Sequence, residues 1–320
     1  MNDTERAAGI LRAGGLVSFP TETVYGLGAD ASNSDALRRL YAVKGRPVDH
    51  PVIVHLGSTQ QLTEFAAAVP SIARVLADAL WPGPLTLVLR RSARVPDEAT
   101  GGLDTVGLRV PAHPIALQLL GAFDGGIAAP SANRFGKVSP TTADAVRSDL
   151  GDDVDLVLDG GPCAVGIEST IVDCSGSEPR VLREGGISAE RLRDVLGFEV
   201  PVGGTVRAPG TLAVHYAPRA RVELIEEELI FSAVADYIAR GLRVGVIALG
   251  EAARSSGFVG STSTTILAAP RDVAEYAHCL YGALRRADDL DLDVVLAVPP
   301  PDAGVGAAVA DRLRRAAASG

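Results

Sequence analysis

Lys44-Gly45-Arg46 places an ammonium and a guanidinium two residues apart, where a predicted helix ends. A point charge and a planar fork so spaced can hold adjacent phosphate oxygens. The same three residues also suit a plain helix terminus, with Gly as the cap and cations on the last turn. Among 30 basic residues only Lys44 and Lys137 are lysine. A chain that otherwise uses arginine for positive charge has a reason to keep a lysine where a compact ammonium is needed.

Three further strings carry polar groups in short loops. Pro20-Thr21-Glu22-Thr23-Val24-Tyr25-Gly26-Leu27-Gly28 offers hydroxyls, a carboxylate and a phenol directly after an apolar run. Ala129 to Pro140 (APSANRFGKVSP) combines small residues with Ser, Asn and Lys, so a backbone can approach a ligand closely. Gly166-Ile167-Glu168-Ser169-Thr170 and Arg183-Glu184-Gly185-Gly186 read either as a ligand loop or as a hairpin with a cross-strand Glu–Arg pair. Thr, Ser and Asn in such places equally serve as turn and cap residues. In open α/β sheets, ligands bind beyond the carboxyl ends of strands, and several of these strings follow strands. Arg109 is expected at such an edge, because it ends an apolar run just before Pro111.

Other chemistries lack their residues. There is no phosphate loop of the G-x-x-x-x-G-K-[ST] type, no dinucleotide fingerprint, no G-x-S-x-G elbow and no H-E-x-x-H. Of the histidines, His50, His55, His113 and His215 lie in or near the polar loops, yet none pairs at i, i+4 on a helix. No metal site is expected; His113 and His278 suit structural or solvated roles. Cys163, Cys174 and Cys279 are odd in number and lack C-x-x-C spacing, which disfavours zinc and disulfides and fits a reducing cytoplasm.

The positioning elements alternate. Strands are predicted at 15–20, 51–56, 85–89, 106–110, 127–129, 156–158, 169–172 and 180–183. Helices fall at 34–44, 71–80, 115–120, 141–150 and 189–196. Asn33 or Ser34 can cap the first of these helices, and Thr141 or Thr142 the fourth. Residues 201–219 carry Pro and Gly punctuation without periodicity and read as a linker. From 220 to 320, strands near 244–249, 265–268 and 294–298 alternate with helices at 229–239, 273–286 and 307–318, the rhythm of a small parallel α/β domain.

The 320 residues allow two or three domains and an ample core. No apolar run reaches the ~18 residues of a membrane span, and the acidic start does not look like a signal peptide. A net charge of −9 argues against a surface devoted to nucleic acid.

FPTETVYGLGADA, KGRP with HPVIVHL, WPGPLTLVL, VGLRVPAH, APSANRFGKVSPT, GIESTIVD and VLREGGI occur in this order. Together they resemble the YrdC-like domain of threonylcarbamoyl-adenylate synthases. APGTLAVHYAPR and GVGAAVADRLRRAA resemble the long, two-domain branch of that family. The resemblance implies an α/β fold: a YrdC-like twisted open sheet with helices and a concave basic cleft over 1–200, a linker or lid over 201–219, and a small Rossmann-like domain over 220–320. It also implies synthesis of threonylcarbamoyl-AMP and pyrophosphate from ATP, L-threonine and bicarbonate. Other proteins then transfer the threonylcarbamoyl group to tRNA; direct tRNA binding is possible but not required, and no membrane is involved.

By the same resemblance, Thr23, His55, Arg109 and Ser169 line the threonine site. Lys44, Arg46, His50, Thr105, Ser131, Asn133, Ser139 and Arg183 surround ATP, with Lys44 and Arg46 catalytic and His215 or Tyr216 contributed by the linker. Magnesium is expected on the phosphates of ATP, with no metal held by the protein. Two other readings stand beside this one. A double-stranded RNA-binding module would need basic residues beyond the cleft, with affinity falling steeply with salt. A carbamoyl-transfer enzyme of the hydrogenase-maturation type would carry zinc-finger cysteines, which this chain lacks.

Overall fold

The computed structural model describes residues 2–210, 216–254 and 263–318. The chain divides into two units. The first comprises 1–135, 139–164 and 168–211; the second comprises 136–138, 165–167 and 212–320.

The first unit is built on nine strands: β1 (Val17–Phe19), β2 (Gly26–Asp30), β3 (Ile53–His55), β4 (Leu85–Arg90), β5 (Thr105–Arg109), β6 (Ile127–Ala128), β7 (Leu156–Val157), β8 (Thr170–Asp173) and β9 (Arg180–Arg183). Their order across the sheet is β7-β1-β2-β6-β3-β5-β4-β8-β9. The sheet is mixed: β1–β7, β3–β5 and β4–β8 are parallel, and the remaining neighbours are antiparallel. Tracing these directions puts the carboxyl ends of β1 and β6 at the opposite edge from those of β3 and β5. The sheet therefore has no common carboxyl edge at which all the polar loops gather, unlike the expectation for an open parallel sheet.

Alternation along the strands separates two faces. Val54, Leu85, Leu87, Leu89, Val106, Leu108, Ala128 and Val172 point into the larger core. Helices Ser34–Lys44, Ser71–Leu80, Ala143–Leu150 and Ala189–Leu196 contribute Leu37, Leu40, Leu76, Val146 and Leu192 to that core. On the other face, Val17, Phe19 and Ile127 pack under helices Asp3–Arg12 and Pro114–Phe123 through Leu11, Leu119 and Leu120. Farther along the same face, Ile53, Val88 and Ile171 are covered by Ala208 and Val206. Part of the predicted linker is thus a strap on this sheet.

Helix ends follow local chemistry. Asn33 caps the Ser34–Lys44 helix through Asp35 and Ala36 N–H groups, and Gly45 ends it at φ 62°, a conformation favoured for Gly. Thr142 and Ser188 cap the helices that follow them. The Asp3–Arg12 helix, absent from the predicted elements, opens with a capping box between Asn2 and Glu5.

The second unit holds β10 (Arg221–Leu224), β11 (Val244–Ile247), β12 (Thr264–Ala268) and β13 (Val294–Ala297), all parallel, in the order β10-β13-β11-β12. Its core joins Val244, Val246, Val294 and Leu296 to Ile230 and Val234 of the Ile230–Ala239 helix. Asp272 caps the long Val273–Asp289 helix. No described helix is long and apolar enough to cross a membrane.

Candidate active site

β5 carries Thr105, Gly107 and Arg109 on the face opposite the larger core, because Val106 and Leu108 point into that core. His55 of β3 is the register partner of Arg109. Thr86 of β4 bonds the hydroxyl of Ser169 at 2.8 Å. A Cβ on Gly107 would sit 3.3 Å from Thr86 Cγ2, so a side chain there would crowd the floor between these polar groups. The floor is polar where helices and strap leave it, and apolar beneath them.

Arg109 is 3 % exposed. Its Nε donates to Gly83 O at 3.2 Å, Nη1 to Thr23 Oγ1 at 3.0 Å and Nη2 to Glu22 Oε1 at 2.6 Å. Thr23 is in turn linked to Thr21 Oγ1 at 2.8 Å. Burial first, and the Arg109 guanidinium second, push the His55 imidazolium down to about 3, so the ring is neutral near pH 7. His55 Nδ1 is buried without a hydrogen-bond partner among the described residues. Thr23, His55 and Arg109 are therefore grouped.

Ser169, the fourth residue expected there, is tied to Arg183. Arg183 donates from Nη2 to Ser169 O at 2.8 Å and to Ser169 Oγ at 3.2 Å, and from Nη1 to Pro209 O at 2.9 Å. Glu168 accepts from Ser139 Oγ at 2.8 Å.

Lys44 lies at the end of its helix, 2 % exposed. Nζ donates to Ser131 O and Asn133 O, both at 2.5 Å. Burial, then the nearby Arg46 guanidinium, lowers its pKa well below the usual lysine value; Arg134 adds to this and Asp149 opposes it. Arg46 donates to Pro51 O at 2.8 Å and His50 O at 3.3 Å, and lies 5.8 Å from the Phe135 ring. The His50 ring meets Phe135 edge-on at 5.7 Å, and burial followed by Arg46 lowers its pKa. Lys44, Arg46, His50, Ser131 and Asn133 thus form one connected group.

Thr105 is buried at the far end of β5 from Arg109, about 13 Å along the same face at ~3.3 Å per residue. Tyr216 belongs to the second unit, where it is buried, stacks on Tyr281 at 5.5 Å and lies 5.3 Å from the Arg312 guanidinium. His215 lies outside the described residues. His113 caps the Pro114–Phe123 helix, its Nδ1 accepting from Ile115 N at 3.2 Å.

Glu22 was not singled out from sequence, although it stands between two threonines in the first polar string. Its signal was a carboxylate in an otherwise neutral loop, opposite a basic strand end. Among the described residues no three His, Cys, Asp or Glu side chains cluster as metal ligands. The two groups together hold four buried basic side chains, Lys44 and Arg46 in one and Arg109 and Arg183 in the other; burial pushes the thiol of Cys163, near Arg109, up to about 12. Such a site is suited to binding and orienting anions rather than to covalent catalysis.

Two family models match the chain. One, described as "Telomere recombination", matches residues 9–185, and the other, "Threonylcarbamoyl-AMP synthase, C-terminal domain", matches 187–318. Threonylcarbamoyl-AMP synthase of Pyrococcus abyssi is 43 % identical, covering 97 % of this chain and 92 % of its own. The Bacillus subtilis protein of that name is 40 % identical, covering 98 % of this chain and 92 % of its own. The crystal structure of P. abyssi Sua5 complexed with L-threonine superposes with a TM-score of 0.90 at 42 % identity, covering 98 % of this chain and 94 % of that one. Both units thus carry the features of one family, and the chain belongs to the threonylcarbamoyl-AMP synthases.

Proposed function

We propose that this chain condenses L-threonine, bicarbonate and ATP into threonylcarbamoyl-AMP, releasing pyrophosphate. The threonine amine and bicarbonate-derived carbon dioxide form a carbamate. A carbamate oxygen attacks the α-phosphorus of ATP, and pyrophosphate leaves with the bonding electrons. Two anions must meet, so the work is positioning and charge screening.

In this reading Arg109 clamps the threonine carboxylate, with Thr23, His55 and Ser169 around the amino acid. Lys44, Arg46, His50, Thr105, Ser131, Asn133, Ser139 and Arg183 take the nucleotide, with His215 or Tyr216 the expected contribution of the linker. Magnesium bound to phosphate oxygens lowers the charge that Lys44 and Arg46 meet; no residue of the chain is assigned to it. The product passes to proteins that move the threonylcarbamoyl group to tRNA, in a reducing cytoplasm compatible with three free thiols.

The observation that carries the reading is the donor count at Arg109. A guanidinium has five N–H donors. Three go to Gly83, Thr23 and Glu22, and the two that remain match one carboxylate. The test is pyrophosphate release from ATP by the purified chain. It should require L-threonine and bicarbonate together; release that ignores either one overturns the reading.

A further inference from the structure

A cleft that takes both an amino acid and a triphosphate faces a sorting problem. A buried guanidinium attracts phosphate more strongly than a carboxylate, since phosphate carries more charge and more acceptor oxygens. Arg109 is such a guanidinium. Its counter-charge is Glu22, with side chains 4 % and 10 % exposed and an N–O distance of 2.6 Å. The other oxygen of Glu22 accepts the main-chain N–H of Ala112 at 3.0 Å, so the carboxylate is fixed at the turn that follows β5.

We propose that Glu22 is a positioning and specificity residue for the amino-acid site: it fixes the two free donors of Arg109 and neutralises the pair, so that the site takes a zwitterion and refuses phosphate. The proposal rests on Arg109 being the carboxylate clamp. Two consequences of the geometry support it. With Nε committed to Gly83 O, a bidentate carboxylate can use only the terminal edge of the guanidinium, where Thr23 and Glu22 hold the remaining geometry. With Glu22 ionised, a phosphate on Arg109 meets a like charge at close range. An amino acid brings an ammonium that offsets the same repulsion.

Glu22→Gln and Glu22→Asp separate geometry from charge. Glu22→Gln keeps the size and removes the charge. We expect it to raise the KM for L-threonine at least about tenfold, as for a lost hydrogen bond to a charged group, with a smaller change in kcat and none in the KM for ATP. Inorganic phosphate, which should not compete with L-threonine in the unaltered enzyme, should become a competitive inhibitor against it. Glu22→Asp keeps the charge but cannot reach both partners; it should raise the KM for L-threonine and still exclude phosphate. A purely structural role would not create phosphate competition in one variant and withhold it in the other. Unchanged KM for L-threonine in Glu22→Gln, or phosphate competition in Glu22→Asp or the unaltered enzyme, overturns the proposal. If Glu22→Gln does not fold, the Glu22→Asp and unaltered-enzyme arms decide it alone. Arg109→Ala is the separate control: if it leaves the KM for L-threonine unchanged, the clamp reading itself falls.

Discussion

Arg183 Nη1 donates to the carbonyl of Pro209 at 2.9 Å while Nη2 of the same guanidinium holds Ser169. One side chain therefore ties the strap to a residue of the proposed threonine site. Arg207 adds a 3.0 Å ion pair to Asp49, beside His50. The roughly 19 residues of 201–219 can reach about 60 Å when extended, far more than a connector needs. We expect the segment to act as a lid. A chain ending at residue 200 should keep its sheet but with Ile53, Val88 and Ile171 uncovered, melt lower and lose most synthesis; in the full chain, ATP with L-threonine should protect 201–210 from protease. Near-normal turnover after truncation, with cleavage indifferent to ligands, would make it a tether.

Lys44 gives a prediction in which stability and activity part. Its folded-state pKa is depressed from the usual 10.5, mainly by burial. Between the two values the unfolded chain binds the extra proton, so this group lowers stability at neutral pH and the loss shrinks as pH rises toward the unfolded pKa. Lys44→Met should therefore lose adenylate synthesis while melting no lower than the parent near pH 7, despite the two lost bonds. Lys44→Arg should be poorly active, because a planar fork does not fit between two carbonyls 2.5 Å from one nitrogen. Thermal melts beside pyrophosphate assays check both.

Arg46 is bonded to two main-chain carbonyls, so its removal has a structural cost as well as a catalytic one. Arg46→Ala should lose nearly all pyrophosphate release and about 1.5–3 kcal/mol of stability, the range for hydrogen bonds to a charged group. Arg46→Lys should recover more of the stability than of the activity. Full activity in either variant removes Arg46 from the nucleotide site.

Arg109→Ala should weaken L-threonine binding by at least about a hundredfold, the loss of a charged hydrogen-bonded partner, and ATP binding far less. Calorimetry with each ligand separates the two. It should also destabilise the fold, because Glu22 is left buried without its partner.

His55, held near 3, does not titrate between pH 5.5 and 8. The KM for L-threonine should show no histidine inflection in that range. Stability follows the same sign as for Lys44, in a more acidic window. As pH falls from 6.5 toward 3, the unfolded chain takes up a proton the folded one refuses, and stability is lost. His55→Gln should flatten that acid limb of the melting curve; an unaltered limb would show that other groups control it.

The alternation of strands and helices was legible because apolar periodicity is local: β4 and β5 each present every second residue to the core. Pairing was not, since it depends on partners remote in the chain. Nothing near Gly26 announces an antiparallel strand there; Phe19 and Ile127 fill the space its glycines leave, and a Cβ on Gly28 would come within 2.9 Å of both. The Asp3–Arg12 helix carries its signal in the Asn2–Glu5 capping box, though its acidic first turn masks the apolar periodicity of Ala7, Ala8 and Leu11. At the site, the grouping of Lys44 with Ser131 and Asn133 follows the motifs. The bond between Glu168 and Ser139 needed the loops in space.

The strap also bears on how the protein is made. Ile53, Val88 and Ile171 lie beneath Ala208 and Val206. On the ribosome, the sheet's apolar floor leaves the exit tunnel long before its cover does. At ~5–20 residues per second, roughly eight to thirty seconds separate Ile53 from Ala208. During that interval a nascent chain presents an apolar β surface with no native cover, so the first unit reaches its full stability only when the strap has been translated. The strap is then also the last part of that unit to be synthesised, and a chain stalled or clipped before it would leave the unit aggregation-prone.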